Sequence, residues 1–141
     1  RGRRSLHRIV IFEVMQLTDN FNIREFYCND GTRIPQEYIE NVIELAENLQ
    51  VLRDYAGAAI RVNSGYRHRD YNTRIGGAKN SQHLYACAAD IIVDGMTPQE
   101  VADLIEELIS QGKMKEGGLG RYNTFTHYDI RGYNSRWSRL A

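Results

Sequence analysis

The sequence predicts an α+β domain in which helices pack on a small, mostly antiparallel sheet. Three observations carry that expectation. The strongest periodic segments are two helices, the strand-like segments are few and short, and the helices come mainly before and between those strands. A chain of 141 residues suits one domain with one core.

The elements follow in chain order. Residues 1 to about 14 read as an appended or upstream segment, with residues 15–141 as the single domain and Met15 a candidate native start. Arg1-Gly2-Arg3-Arg4 and the apolar stretch from Leu6 to Phe12 have the order of a signal peptide. However, His7 and Arg8 interrupt the apolar part, it is short, and no small-residue cleavage site follows, so no export signal is recognised. In "FNIREF", Asn22 with Glu25 three residues on predicts an N-cap and a short helical turn. "NDGT" at Asn29 to Thr32 is a turn. From Pro35 to about Tyr55, Ile39, Val42, Ile43, Ala46 and Leu49 recur at helical spacing with Glu40, Glu44 and Glu47 between them, and Pro35 suits the first turn.

Ala59 to Asn63 alternates like a strand and runs into "SGYR". Arg69 to Ile75 predicts one or two helical turns stopped by Gly76-Gly77. Ala89 to Val93 reads as a buried strand, turned outward by Asp94-Gly95. Thr97-Pro98-Gln99-Glu100 is a capping box with proline in the first helical position. Its helix carries Val101, Leu104, Ile105, Leu108 and Ile109 on one face and ends at Gly112. Two closing strands are expected near Gly118 to Tyr122 and Phe125 to Arg131.

Composition removes several classes of function. Acidic and basic residues balance at 18 each, which gives no global field to favour nucleic acid or a membrane surface. A hydrophobic fraction of 42% argues for a folded domain, and no apolar run approaches the ~20 residues needed to cross a bilayer. Cys28 and Cys87 form no disulfide framework; Cys87, in a run of small side chains, reads as a buried apolar residue.

The segment "SQHLYACAAD" holds a histidine and an aspartate seven residues apart around small side chains. Asp90 opens a strand of Ile91, Ile92 and Val93, where a carboxylate is expensive to bury without a cationic partner. Either an arginine meets it, or it faces water at the strand end, or it binds a metal. His83 follows the bend Gly76-Gly77-Ala78-Lys79-Asn80, and the alanines between it and Asp90 let backbones approach closely. Imidazole nitrogen and carboxylate oxygen are both zinc ligands at ~2.0–2.2 Å. For a third ligand, His68 sits between Arg67 and Arg69, a poor place for another cation. His127 in "FTHYDI" lies on a predicted strand whose alternation puts Phe125, His127 and Asp129 on one face. Three protein ligands with an open fourth position is the catalytic form of a zinc site. The helical HExxH signature is absent.

Three stretches then carry a resemblance: "SGYR" at Ser64 to Arg67, "GGAKNSQH…AAD" at Gly76 to Asp90, and "GGLGRYNTFTHYDIRG" at Gly117 to Gly132. In this order they resemble the D-Ala-D-Ala carboxypeptidase-like zinc peptidases, a group that cleaves bacterial cell-wall peptides, includes phage lysis enzymes and shares a fold with the Hedgehog signalling domain. The likeness runs from about Leu17 to Trp137. It implies a Zn²⁺ cofactor held by His83, Asp90 and His127. It also implies that Arg67 binds substrate and polarises its carbonyl or holds its carboxylate, and that Ser81 contacts the peptide. Many members carry a catalytic glutamate three residues before the last histidine, where this chain has Thr124. The nearest carboxylate is Asp129, expected as the general base, or else as an orienter of a ligand or partner of Arg131; Glu116 is the second candidate base. Tyr66, Tyr71 and Tyr122 are candidates to wall the cleft, Tyr71 is expected to contact substrate, and Trp137 is expected to dock the tail rather than read substrate.

The resemblance implies a monomeric metallopeptidase, a carboxypeptidase or endopeptidase acting on peptidoglycan stem peptides or cross-links. It would act on the bacterial cell wall, from either a bacterial or an endolysin-like phage gene. Two rivals stand beside it: a non-catalytic module of the same fold that keeps zinc and binds the cell wall, and a metal-free interaction domain with buried structural histidines.

Overall fold

The computed structural model describes residues 15–141, so the appended segment expected over residues 1–14 lies outside the described residues. Two short strands, β1 (Gln16–Thr18) and β2 (Phe21–Asn22), pair as a hairpin that the sequence pattern did not announce. The Asn22–Glu25 capping box follows, opening a 3-10 turn over Ile23–Phe26. Helix α1 (Ile39–Ala56) begins after a single 3-10 turn at Gln36–Tyr38 and ends where Gly57 adopts φ 64°. That left-handed C-cap suits glycine because it has no Cβ to clash. Val42, Leu45, Ala46, Leu49 and Leu52 form the fully buried stripe of α1.

Strand β3 (Ile60–Ser64) leads to the short helix α2 (Arg69–Arg74), and a 3-10 turn at Gln82–Tyr85 leads into β4 (Ala88–Val93). Helix α3 (Pro98–Ser110) starts at the Thr97–Glu100 capping box and buries Val101, Ala102, Ile105 and Leu108. Strands β5 (Gly118–Tyr122), β6 (Thr126–Asp129) and β7 (Ser135–Arg139) close the chain. The sheet order is β3-β4-β6-β5-β7, antiparallel throughout except for the parallel pair β5–β7. This is the α+β architecture expected, with one strand more than the two closing strands foreseen.

Period-two alternation divides the sheet into two faces. Ala89, Ile91, Tyr128 and Leu119 belong to the buried core, and α1 and α3 pack against this part of the sheet. Arg121 and Arg136 stitch α3 to the sheet: Arg121 bonds Gln99 and Asp103, and Arg136 bonds Glu106 through two nitrogens. On the other face one cross-strand row runs Ser64, Asp90, His127, Gly120, Trp137, each residue directly opposite the next. That row is the floor on which the polar residues of the sequence meet.

Candidate metal centre

His83 reaches the row from outside the sheet. Ser81 caps its 3-10 turn by accepting the His83 backbone N–H at 3.2 Å, and Ala86, in the left-handed region at φ 59°, ends the turn and redirects the chain into β4. The imidazole is thereby brought over Asp90. His83 Nε2 lies 3.3 Å from Asp90 Oδ1, and His127 Nδ1 lies 3.0 Å from the same oxygen. One ligand atom from each residue lies within 4.8 Å of the others, and all three residues are buried. The structure thus brings together the three residues singled out in the sequence.

The outer partners decide which nitrogens are free. His83 Nδ1 donates to Gly65 O at 2.7 Å, which leaves Nε2 with its lone pair. His127 faces a carboxylate at each ring nitrogen, Asp129 Oδ2 at 2.7 Å from Nε2 and Asp90 Oδ1 at 3.0 Å from Nδ1; with the proton on Nε2, at the shorter contact, Nδ1 would turn its lone pair toward an ion. The His83 Nε2 lone pair therefore faces the Asp90 carboxylate, and His127 Nδ1 meets the same oxygen, so the three atoms converge where a shared proton or a cation would sit. The donor set is one that zinc accepts. Ligands at its usual 2.0–2.2 Å bond lengths sit at tetrahedron edges of about 3.3–3.6 Å, close to the 3.3 and 3.0 Å that separate the two imidazoles from Asp90 Oδ1. The residues present fit the ion.

Electrostatics follow the same contacts. Burial pulls the His83 pKa down, against the pull of Asp90. Burial also disfavours a charged His127, but the hydrogen bonds to Asp129 and Asp90 outweigh it and the pKa is raised. Burial would raise Asp90, yet its bonds to His127 and His83 hold the carboxyl well below the usual range.

Asp129 is fully buried behind His127. Its Oδ1 accepts from Gly118 N–H, Arg131 N–H and Arg131 Nε, and its Oδ2 accepts from His127 Nε2 and Arg131 Nη2. A Cβ at Gly118 would collide with the Asp129 carboxylate, so glycine there makes the room. Burial would raise the Asp129 pKa, but the bonds from His127 and Arg131 hold it well below the usual range. The base role expected for Asp129 does not fit these surroundings, because every lone pair direction is engaged and none opens to a reacting water. The two alternatives, orienting a ligand and pairing with Arg131, call for contacts to His127 and Arg131, and Asp129 makes both contacts. Glu116 is bound to Arg136, Asn134 and Gly117 N–H and does not line the cleft.

A cleft of about 760 Å³ opens over the centre, lined by His83, Asp90 and His127, the loop from Gly76 to Gln82, and residues of β5 to β7. Arg67 and Ser81 line it as expected, and so does Tyr122. Tyr71 is not in its wall; it stands on α2 beside His68 and Arg74. Tyr66 is buried against Tyr38. Trp137, expected to dock the tail, packs β7 onto β5 and also forms part of the wall: its ring centroid is 4.9 Å from that of His127, and its Nε1 donates to Tyr122 Oη at 2.9 Å. Gly120 makes space for it, since a Cβ there would meet the indole at 2.5 Å. Asp90 is the one carboxylate among the described residues lining the cleft, against Arg67, Lys79, Arg131 and Arg139. The cleft is cationic, although the chain as a whole is neutral.

A second cluster, Cys28, Asp30 and His68, also gathers three possible ligands. Here His68 Nδ1 accepts the Tyr71 N–H that caps α2, so Nε2 carries the proton and donates to Asp30 Oδ2 at 2.6 Å. No imidazole lone pair is left for an ion, and the cluster ties two loops together. The thiols of Cys28 and Cys87 are both free.

Comparison with known proteins agrees with this geometry. The family model described as Peptidase M15 matches residues 17–129, a span that contains all three candidate ligands and stops before β7. No curated protein matches the chain.

Proposed function

We propose, on the premise that the chain belongs to the peptidase M15 family of zinc D-Ala-D-Ala carboxypeptidase-like peptidases, that it hydrolyses peptide bonds in peptidoglycan stem peptides or their cross-links. The observation that carries this reading is the convergence of His83 Nε2, His127 Nδ1 and Asp90 Oδ1 at a buried point beneath a cationic cleft. Stem peptides bear free carboxylates, and the charge of the cleft suits them.

His83, Asp90 and His127 would hold the zinc ion, which supplies Lewis acidity, polarising a carbonyl and making water a nucleophile near neutral pH. Arg67 spends one N–H of each of its three nitrogens on Ser64, Asn72 and Asp90. Two of the five guanidinium donors remain for a substrate carbonyl oxygen or carboxylate. Ser81 offers its hydroxyl at the loop edge while its oxygen caps the His83 turn. With the ion bound, Asp129 would hold the His127 proton on Nε2 and leave Nδ1 to the ion. Trp137 and Tyr122 form an aromatic wall beside His127 and exclude water from that side.

Digestion of purified muropeptides, with and without chelator and read by mass spectrometry, tests this reading. New fragments are expected only without chelator. His83→Ala, Asp90→Ala and His127→Ala should each carry far less than one zinc per chain. Full zinc content in all three variants would remove the site.

One observation favours a second reading, a zinc-holding module that binds cell-wall peptides without cutting them. No carboxylate other than Asp90 lines the cleft among the described residues, and Thr124 stands where many relatives place a glutamate. Intact muropeptides beside a full zinc complement would decide for that module.

A further inference from the structure

Arg67 is held by three neighbours, one for each guanidinium nitrogen. Nε donates to Ser64 Oγ at 3.1 Å, Nη1 to Asn72 Oδ1 at 3.3 Å and Nη2 to Asp90 Oδ2 at 3.2 Å. Ser64 and Asp90 belong to the sheet floor, whereas Asn72 comes from α2 on the other side of the arginine.

Asn72 is unusual for its setting. It sits in a six-residue helix otherwise made of exposed or half-exposed residues, yet it is 3% exposed. A buried primary amide is costly unless its groups are bonded. Its Oδ1 accepts from Arg67, its Nδ2 donates to Ala78 O at 2.8 Å, and its backbone carbonyl accepts from Gly77 N at 2.8 Å. Gly77 lies flat on this amide, and a Cβ there would collide with Asn72 Oδ1. Every side-chain bond of Asn72 therefore leads to Arg67 or to the glycine-rich loop. Asn72 itself does not line the cleft, so it does not touch a molecule bound there.

We infer that Asn72 is a positioning residue for Arg67: it supplies the third point that fixes the plane of the guanidinium, so that the two remaining donors are offered to substrate in one orientation. With two contacts the planar group can rock about the line joining them; with three it cannot. The inference rests on the peptidase reading, in which Arg67 holds substrate.

A double-mutant cycle on the wild-type cleavage reaction tests it. Asn72→Ala should keep its zinc and lose roughly ten-fold or more in kcat/KM, as expected when a hydrogen bond to a charged group is removed. Arg67→Lys should lose at least as much, because an ammonium cannot engage three partners in one plane. The double variant should then fall no more than about two-fold below Arg67→Lys, since the first effect is exerted through the second residue. Gly77→Ala is the independent variant. It leaves Asn72 in place but pushes its amide off Arg67, and it should reproduce the Asn72→Ala loss and the same non-additivity. It carries the cycle alone if Asn72→Ala does not fold. Additive losses would overturn the inference, as would loss of zinc in Asn72→Ala. A wild-type protein that holds zinc but cleaves no muropeptide would sink the peptidase reading and this inference with it, an outcome distinct from additivity in an active enzyme.

Discussion

Replacing Asp129 with asparagine separates the two roles open to a carboxylate two residues after His127. The side chain is fully buried and accepts five hydrogen bonds of 2.7–3.1 Å, three of them from Arg131. Asparagine keeps one oxygen, and whichever way it is turned its amide nitrogen faces N–H donors. With the oxygen at the Oδ1 position three bonds survive, while His127 Nε2 and Arg131 Nη2 lose their acceptor. Breaking a buried ion pair costs 3–5 kcal/mol, and the low end, about 3 kcal/mol of stability, applies because the Arg131 side chain is 18% exposed. Loss of the outer partner of a metal-binding histidine weakens metal affinity about 10- to 100-fold, or about 1.4–2.8 kcal/mol. The assay is zinc affinity by chelator competition, with thermal unfolding and kcat at saturating zinc measured on the same protein. Asp129→Asn should show the weakened Kd and the lowered Tm, with kcat at saturating zinc close to wild type. An unchanged Kd together with a hundred-fold or greater fall in kcat would refute this reasoning and restore Asp129 as the general base.

Two further outcomes follow from close packing and from burial. Gly120→Ala places a methyl against the Trp137 indole, so the ring must leave His127 and its bond to Tyr122. A cost of about 1–3 kcal/mol and a red shift in the emission of this sole tryptophan are expected; unchanged emission and unchanged Tm would contradict the packing described. Burial, with Asp129 adding to it, pushes the Cys87 thiol up to about 11. The reactive thiolate is then roughly one part in a thousand at pH 8, and alkylation by iodoacetamide should rise about ten-fold per pH unit between 7 and 10. Rapid labelling of the folded protein at pH 7, located by mass spectrometry, would contradict it.

How far the sequence reached depends on whether a signal is local. Helices α1 and α3 are written in apolar spacing and in caps that act within four residues, and both form where that spacing puts them. His83 and Asp90 share one short motif, and strand alternation put His127 and Asp129 on one face, which is where β6 holds them. The role of Asp129 was not legible, because it is set by Gly118 and Arg131 closing behind it from outside that strand. Strand β7 reads "SRWSR", with no apolar alternation, and its parallel pairing with β5 is a contact that no local pattern announces. The place of Trp137 in the cleft wall was hidden for the same reason, and Asn72 looks from the sequence like one more polar residue on a small helix.

The row across the sheet has a consequence for how such a protein can change. The three candidate ligands come from the 3-10 turn and the two inner strands β4 and β6, where any alteration disturbs neighbours on both sides. The wall of the cleft is carried in part by β7, an outermost strand that lies beyond the family-matched span and pairs with β5 alone. The candidate ligands and this part of the cleft wall are thus housed on parts of the molecule with different tolerance for replacement. Rewriting Ser135–Arg139 would alter the cleft wall while His83, Asp90, His127 and the Asp129–Arg131 pair behind them stay as they are.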